Sequence, residues 1–223
     1  ITVWGNATQG GANAPTGTGY TQVVSSANSY AALKADGSIS AWGNSIYGTT
    51  DVPTGTGYTK IFSTAGAFAA LKTDGSVVTW GNTGFGNSNS PTGSGFIDIF
   101  TSSKSFSALA PDGSITSWGY SITGGTGAPA FTGYTAISSN QQAFAALKPD
   151  GTIYSWGATG FGGGPYMPLG SGFVKLYADG SAFTGVRADG SLQSWGSTVY
   201  GGSINPTGTG YTQVFTDGTA FAA

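Results

Sequence analysis

Six tryptophans, Trp4, Trp42, Trp80, Trp118, Trp156 and Trp195, stand 38, 38, 38, 38 and 39 residues apart along the 223-residue chain. So regular a spacing marks a repeat architecture, built from one supersecondary unit that buries its apolar face only against its neighbours. Cut on this period, the chain falls into copies 1–38, 39–76, 77–114, 115–152, 153–191 and 192–223 of a single domain. The copies share their landmarks in order: Trp-Gly, a Gly-rich loop, usually a Pro, then Gly-Tyr or Gly-Phe, a small-residue run around a Phe or Tyr, and Asp-Gly.

Three strands, at most four, fit each copy. In 39–76 the segment 58–63 alternates as a half-buried strand should, and 67–72 with 76–80 reads as a hairpin closed by Asp74-Gly75. Gly accepts the positive φ such a turn needs, and Asp bonds its own turn backbone. The same dipeptide recurs at Asp36, Asp112, Asp150 and Asp189, each followed by Gly, so these five carboxylates are assigned to structure. The residue before each Trp is small or β-branched (Val3, Ala41, Thr79, Ser117, Ser155, Ser194). Neighbouring sheets then approach closely beside the indole, and the six Trp are expected to be wedges between sheets rather than sugar-stacking platforms.

The last copy stops in the first arm of the hairpin, at 220–223, and the first copy begins in the second arm, at 1–4. The two ends complement each other as one split hairpin. This predicts an all-β, six-bladed β-propeller closed by pairing of its N- and C-terminal strands, because closure removes exposed sheet edges. An open solenoid and a β-sandwich are the alternatives. Opening on Ile1 rather than Met reads as a processed or excised piece.

The unit Ala-Leu-Lys-x-Asp-Gly-Ser-x-x-x-Trp-Gly-Asn, with Tyr-Gly or Phe-Gly five to six positions after the Trp, resembles the repeats of the regulator of chromosome condensation superfamily. It is most similar to the compact bacterial branch of the β-lactamase inhibitory protein II type, and the resemblance runs the length of the chain. It implies a propeller that contacts proteins through variable loops, and it carries no individual contact residue across. Members typically have seven blades, so six copies fit either a six-bladed ring or one whose seventh blade lies elsewhere. The nucleotide exchange and chromatin binding of the eukaryotic members sit badly with a charge-poor, acidic chain.

Composition closes many routes to chemistry. The 40 Gly are balanced by 39% hydrophobic and 13% aromatic residues, enough for a core, whereas charged residues make up 7%, the net charge is −2, and His and Cys are absent. Without a basic cluster there is no footprint for nucleic acid, and without a long apolar run no membrane insertion. No disulfide framework exists, and only hard cations remain as metal candidates, for which no calcium-loop motif appears. All nine acidic residues are Asp. Besides the five hairpin Asp, Asp179 and Asp217 also precede Gly, and Asp51 and Asp98 are expected at the surface. No pair of carboxylates is arranged for acid/base work, so the chain is expected not to be an enzyme, with no catalytic residue, metal or cofactor. The Gly-rich loops lead into strands rather than a helix, unlike a phosphate cradle. Asn6-Ala7-Thr8 is the one glycosylation sequon.

Recognition is what remains. The positions five after each Trp hold Gln9, Tyr47, Phe85, Thr123, Phe161 and Tyr200, and the loop beyond them varies most between copies. A rigid scaffold with variable loops on one face is how binding surfaces are built. Tyr47, Phe85, Phe161, Tyr166 and Tyr200 are the expected partner contacts, the alternative being that they cap the blade ends. The expectation is a binding or display module of a larger extracellular or cell-surface protein, adhesive or viral, recognising protein or glycan. A soluble enzyme inhibitor of the β-lactamase inhibitory type and a multivalent lectin are the alternatives.

Overall fold

The computed structural model describes residues 1–164, 167–203 and 205–223. Strands β1 (Tyr20–Ser25), β2 (Ser29–Lys34) and β3 (Ile39–Gly43) form one antiparallel meander. The pattern repeats in β4 (Tyr58–Ser63), β5 (Ala67–Lys72) and β6 (Val77–Gly81), and in β7 (Asp98–Thr101), β8 (Ser105–Leu109) and β9 (Ile115–Gly119). It repeats again in β10 (Ala136–Ser139), β11 (Ala143–Leu147) and β12 (Ile153–Gly157), and in β13 (Phe173–Ala178), β14 (Ala182–Arg187) and β15 (Leu192–Gly196). The last copy contributes a two-stranded sheet of β16 (Phe215–Thr216) and β17 (Phe221–Ala222). The only helical elements among the described residues are 3₁₀ turns of three residues, each following a Trp-Gly.

The Asp-Gly turns behave as their chemistry requires. Asp74 Oδ1 accepts from Ser76 N at 2.9 Å and Ser76 Oγ at 2.7 Å, while Gly75 takes φ +76°. The side chain of Asp74 is fully exposed, yet the Ser76 hydroxyl and amide hold its carboxyl below the ordinary 3.8. The turn also makes a connection that its local sequence does not reveal. Gly95 N donates to Asp74 O at 2.9 Å and Phe96 N to Gly75 O at 3.1 Å, so the hairpin tip clasps the chain leading to the following sheet. A Cβ on Gly75 would lie 2.5 Å from Gly95 N. The same clasp joins Gly133 to Asp112 at 2.9 Å and Gly210 to Asp189 at 2.9 Å.

The chain divides into two compact units, Ile1–Ala108 with Trp118–Tyr120, and Leu109–Ser117 with Ser121–Ala223. In the first unit the middle strand β5 is buried on both faces, and its period of two assigns one face to each neighbouring sheet. Phe68 and Ala70 join Ala31, Leu33, Ile61 and Trp80 in one cluster. Ala67, Ala69 and Leu71 join Ile99, Phe106 and Trp118 in another. Alanine on these strands lets sheets approach closely enough for each indole to span the gap. In the second unit Ala143, Ala145, Leu147 and Ile153 of one sheet pack against Phe173, Phe183 and Trp195 of the next.

Every buried Trp stacks on the aromatic opposite it on the middle strand. Phe68 and Trp80 are paired in register with ring centroids 5.3 Å apart at 18°, and Tyr30–Trp42, Phe106–Trp118, Phe144–Trp156 and Phe183–Trp195 repeat the 5.3 Å separation. Trp4 departs from the expected burial. It is 84% exposed, and residues 1–6 enter no strand.

Candidate binding face

Each Trp-Gly turns out of its sheet into a loop whose form follows from three residues. Asn44 Oδ1 accepts from Ile46 N at 3.0 Å and caps the 3₁₀ turn Ser45–Tyr47, which ends at Gly48 with φ +112°. Asn6 and Asn82 do the same for Ala7–Gln9 and Thr83–Phe85. Gly48 has to be glycine, because a Cβ there would sit 2.6 Å from the Phe68 ring. Its carbonyl then accepts the indole N–H of Trp80 at 2.9 Å. Gly10 O receives Trp42 at 3.1 Å, and in the second unit Gly162 O and Ser155 Oγ both receive Trp195 at 3.2 Å. A second anchor takes the carbonyl of the aromatic residue: Ser29 Oγ donates to Tyr47 O at 2.5 Å, Thr64 Oγ1 to Phe85 O at 2.5 Å and Asn140 Nδ2 to Phe161 O at 2.8 Å. Several of the loop backbones are therefore pinned by recurring bonds, although Ala158 and Ser197 cap their turns with no side chain.

In the first unit Tyr47 and Phe85 are half-buried, with ring centroids 5.9 Å apart and tilted by 57°. Phe85 lies over Gly66, where a Cβ would meet its Cγ at 2.7 Å. Lys104 Nζ lies 4.9 Å from the Phe85 centroid and 5.4 Å from that of Tyr120, so Tyr47, Phe85, Tyr120 and Lys104 make one aromatic-cationic cluster. In the second unit Phe161 packs onto the core around Phe183 and Trp195, whereas Tyr200 is exposed. Tyr166 lies outside the described residues. A groove of about 460 Å³ opens between the loops after Trp118 and Trp156, lined by Ser121, Thr126, Tyr154, Trp156 and Met167 over a floor of Gly127, Gly163 and Gly164.

The same loops carry residues the sequence pattern does not single out. Ile46, Ile122 and Val199, four positions after their Trp, are exposed by 56% or more. An aliphatic side chain inside a Gly/Ser/Thr loop is the only local sign of them. Tyr120, exposed where Asn6, Asn44 and Asn82 cap their own turns, is another.

The opposite end of four of the sheets repeats one arrangement. Lys34 stands over Tyr20 at 5.2 Å, Lys72 over Tyr58 at 5.3 Å, Lys148 over Tyr134 at 4.9 Å and Arg187 over Phe173 at 4.1 Å. Asp98 pairs with Lys60 at 3.0 Å on the exposed surface. Asp179 differs from the hairpin Asp: it is buried, Oδ1 accepts from Ser181 N and Ala182 N, and Oδ2 has no partner. Among the described residues no three His, Cys, Asp or Glu gather as metal ligands, and no helix is long and apolar enough to cross a membrane.

No protein-family model and no curated protein matches the chain. Solved structures do. The entire ectodomain of the receptor kinase CR4 from Physcomitrella patens aligns with a TM-score of 0.58 at 22% identity, over 80% of this chain and 50% of that one. Prp20p from Saccharomyces cerevisiae, described with its binding to Gsp1p and histones, aligns with a TM-score of 0.54 at 17% identity, over 79% and 58%. The CRINKLY WD40 ectodomain of the Arabidopsis thaliana receptor kinase ACR4 gives 0.55 at 18%, over 80% and 66%. The chain thus spans about half to two thirds of these proteins. Likenesses at such identities define the fold, and it is that of a β-propeller chain built from three-stranded antiparallel blades. One of these neighbours is yeast RCC1 (Prp20), and the bacterial inhibitory subtype draws no separate support from them.

Proposed function

We propose that the chain is a non-enzymatic, protein-binding propeller module acting outside the cell or at its surface. Its recognition elements are the loops after Trp-Gly in its six repeated copies. One observation carries the choice of face: several of the loops, those after Trp4, Trp42, Trp80 and Trp156, are held by recurring cap, indole or carbonyl hydrogen bonds, while their side chains differ. Ile46 with Tyr47, Phe85 with Lys104 and Tyr120, and Val199 with Tyr200 present distinct apolar and aromatic tips. The hairpin end repeats a cation-over-aromatic arrangement in four copies and offers an asymmetric partner less to distinguish. Protein partners are supported by the propellers it resembles, among them yeast RCC1 (Prp20), solved with Kap60 bound. A charge-poor, Gly-rich surface suits an extracellular setting.

The test begins with a partner captured from the native source. Exposed aromatic and aliphatic anchors typically cost about 2 kcal/mol or more when truncated at an interface, so the double variant Val199→Ala, Tyr200→Ala is expected to weaken binding at least about tenfold. Undiminished binding by that variant, with loss on Lys72→Ala and Lys148→Ala, would place the partner on the hairpin end and overturn the reading.

A further inference from the structure

Two positions set the sheet of Trp118 apart from the others, and the first unit brings them together. The turn between β7 and β8 carries Lys104 where the other sheets have Asn28, Gly66, Gln142, Ser181 and Thr219, and Trp118-Gly119 is followed by Tyr120 where they have Asn6, Asn44, Asn82, Ala158 and Ser197. Lys104 Nζ lies 4.9 Å from the Phe85 ring centroid and 5.4 Å from that of Tyr120. The backbones are tied as well. Tyr120 N donates to Lys104 O at 3.0 Å, Ser105 Oγ donates to Tyr120 O at 2.8 Å, and Ser102 N closes the turn onto Ser105 O at 2.9 Å. The ammonium is thus set on a fixed turn beside two rings, and a ligand has little freedom left to freeze. Its charge is unanswered within the unit. Lys60 pairs with Asp98 at 3.0 Å. Lys34 and Lys72 stand near Asp36 and Asp74, whose carboxyls are held below the ordinary 3.8 by the Ser38 and Ser76 donors first and by these ammonium groups after them. Lys104, the fourth lysine of the unit, pairs with no carboxylate among the described residues. The surface around it is apolar: Tyr120 is 44% exposed, Ile46 is 63% exposed, and Tyr47 tilts against Phe85 at 5.9 Å.

We propose that Lys104 is an anion-recognition point, taking the carboxylate of an acidic residue in a protein partner, with an apolar neighbour of that residue resting on Tyr120 or on Ile46 and Tyr47. The inference rests on the reading that the loops after Trp-Gly recognise a protein, and goes beyond it by naming the group recognised and the side chain that recognises it. The rings leave the three ammonium donors open to an oxygen acceptor. They also keep water from part of the cation, so a pair formed here is stronger than one between fully exposed side chains. A carboxylate suits the cluster better than a phosphate does. One ammonium supplies a single positive charge, whereas phosphate recognition draws on bidentate Arg forks or on a helix N-terminus, and this cluster holds neither.

The probe is a displayed library of random short peptides, selected on the immobilised full chain with and without counter-selection on its Lys104→Gln variant. Counter-selected sequences are expected to share an Asp or Glu beside an aliphatic or aromatic residue. A fluorescein-labelled synthetic copy, titrated by anisotropy, should bind the full chain at least about tenfold more tightly than Lys104→Gln. Changing its acid to the amide should cost as much, and the amide peptide should no longer distinguish the two proteins. Lys104→Arg should keep most of the affinity, which should fall as salt is raised. Undiminished binding by the amide peptide, or a selection in which nothing distinguishes the chain from Lys104→Gln, overturns the carboxylate site. Displacement of the peptide by inorganic phosphate at concentrations where acetate has no effect also overturns it, in favour of phosphate. Acid-free peptides from the other arm that weaken on Tyr47→Ala and not on Lys104→Gln overturn the carboxylate site while leaving the recognition loops in place. Peptides that instead weaken only on Lys72→Ala overturn both readings.

Discussion

Two tryptophans of identical packing differ in one atom's environment, and substituting each by phenylalanine isolates it. Trp80 and Trp118 are both fully buried and both stack on phenylalanine with centroids 5.3 Å apart. Trp80 Nε1 donates to Gly48 O at 2.9 Å, whereas Trp118 Nε1 has no acceptor. Trp→Phe removes about the same apolar volume at both sites, so that loss cancels in the difference. Trp80→Phe also leaves the carbonyl of buried Gly48 unpaired, at a cost of about 1–3 kcal/mol. Trp118→Phe abandons no bond and deletes an N–H that is already unsatisfied. Trp80→Phe should therefore be less stable than Trp118→Phe by at least about 1 kcal/mol, a gap of about 2–4 °C per kcal/mol in a chain of this length. Urea unfolding followed by circular dichroism, with the slopes checked for equality, measures it. Equal midpoints, or a larger loss in Trp118→Phe, would refute the assignment of the indole–carbonyl bond as a stabilising strut.

Trp80→Ala should cost about 3–5 kcal/mol, as large core truncations do, and an unchanged melting temperature would show that the indole does not hold adjacent sheets together. Gly75→Ala meets both a φ of +76° and the Gly95 backbone, whereas Gly55→Ala meets a φ of +91° and open space. Paired melts should find Gly75→Ala clearly the more damaging, and parity would dismiss the hairpin clasp. Asp36, Asp74, Asp112, Asp150, Asp189 and Asp217 all have carboxyls held below the ordinary 3.8, chiefly by hydroxyl and amide donors two residues on. A depressed native value means stability that is complete above the unfolded value and is lost as pH falls through the native one. Melting temperature should accordingly stay level from pH 7 to about 5 and fall below about 3.8. Asp→Asn at the five hairpin turns should flatten that fall, and an acid limb of unchanged slope would locate the sensitive groups elsewhere.

The strands were legible because their signals are local. Tyr58–Ser63 and Ala67–Lys72 follow from alternation and from Asp74-Gly75 between the hairpin arms, and no distant residue is needed to place them. What escaped the sequence is the contact between copies. Gly48 reads as one more loop glycine until Phe68 is found beneath it and Trp80 is found donating to its carbonyl, and neither neighbour is close to it in the chain. The Asp-Gly turn looked complete in itself, although its carbonyls hold the next copy's Gly-Tyr or Gly-Phe. Tyr47, Phe85 and Tyr200 were visible as aromatics at a repeated offset. Ile46, Ile122 and Val199 were not, because one aliphatic residue in a polar loop carries no periodicity to mark it. Asp179 resembled the hairpin Asp by its following Gly, and only burial separates it from them.

The strut from indole to loop carbonyl bears on how such a chain changes over generations. Where the strut is formed, at Trp42, Trp80 and Trp195, a copy takes a carbonyl from the copy before it, so its stability is set chiefly by its neighbours. A duplication or deletion of one full period of DNA, wherever recombination happens to cut, keeps such a donor opposite an acceptor. A change of half a period strands an indole in one copy and a bare carbonyl in another. Copy number can drift in whole steps while the side chains at the loop tips diverge independently, which lets a lineage enlarge its array of surfaces without inventing a new core.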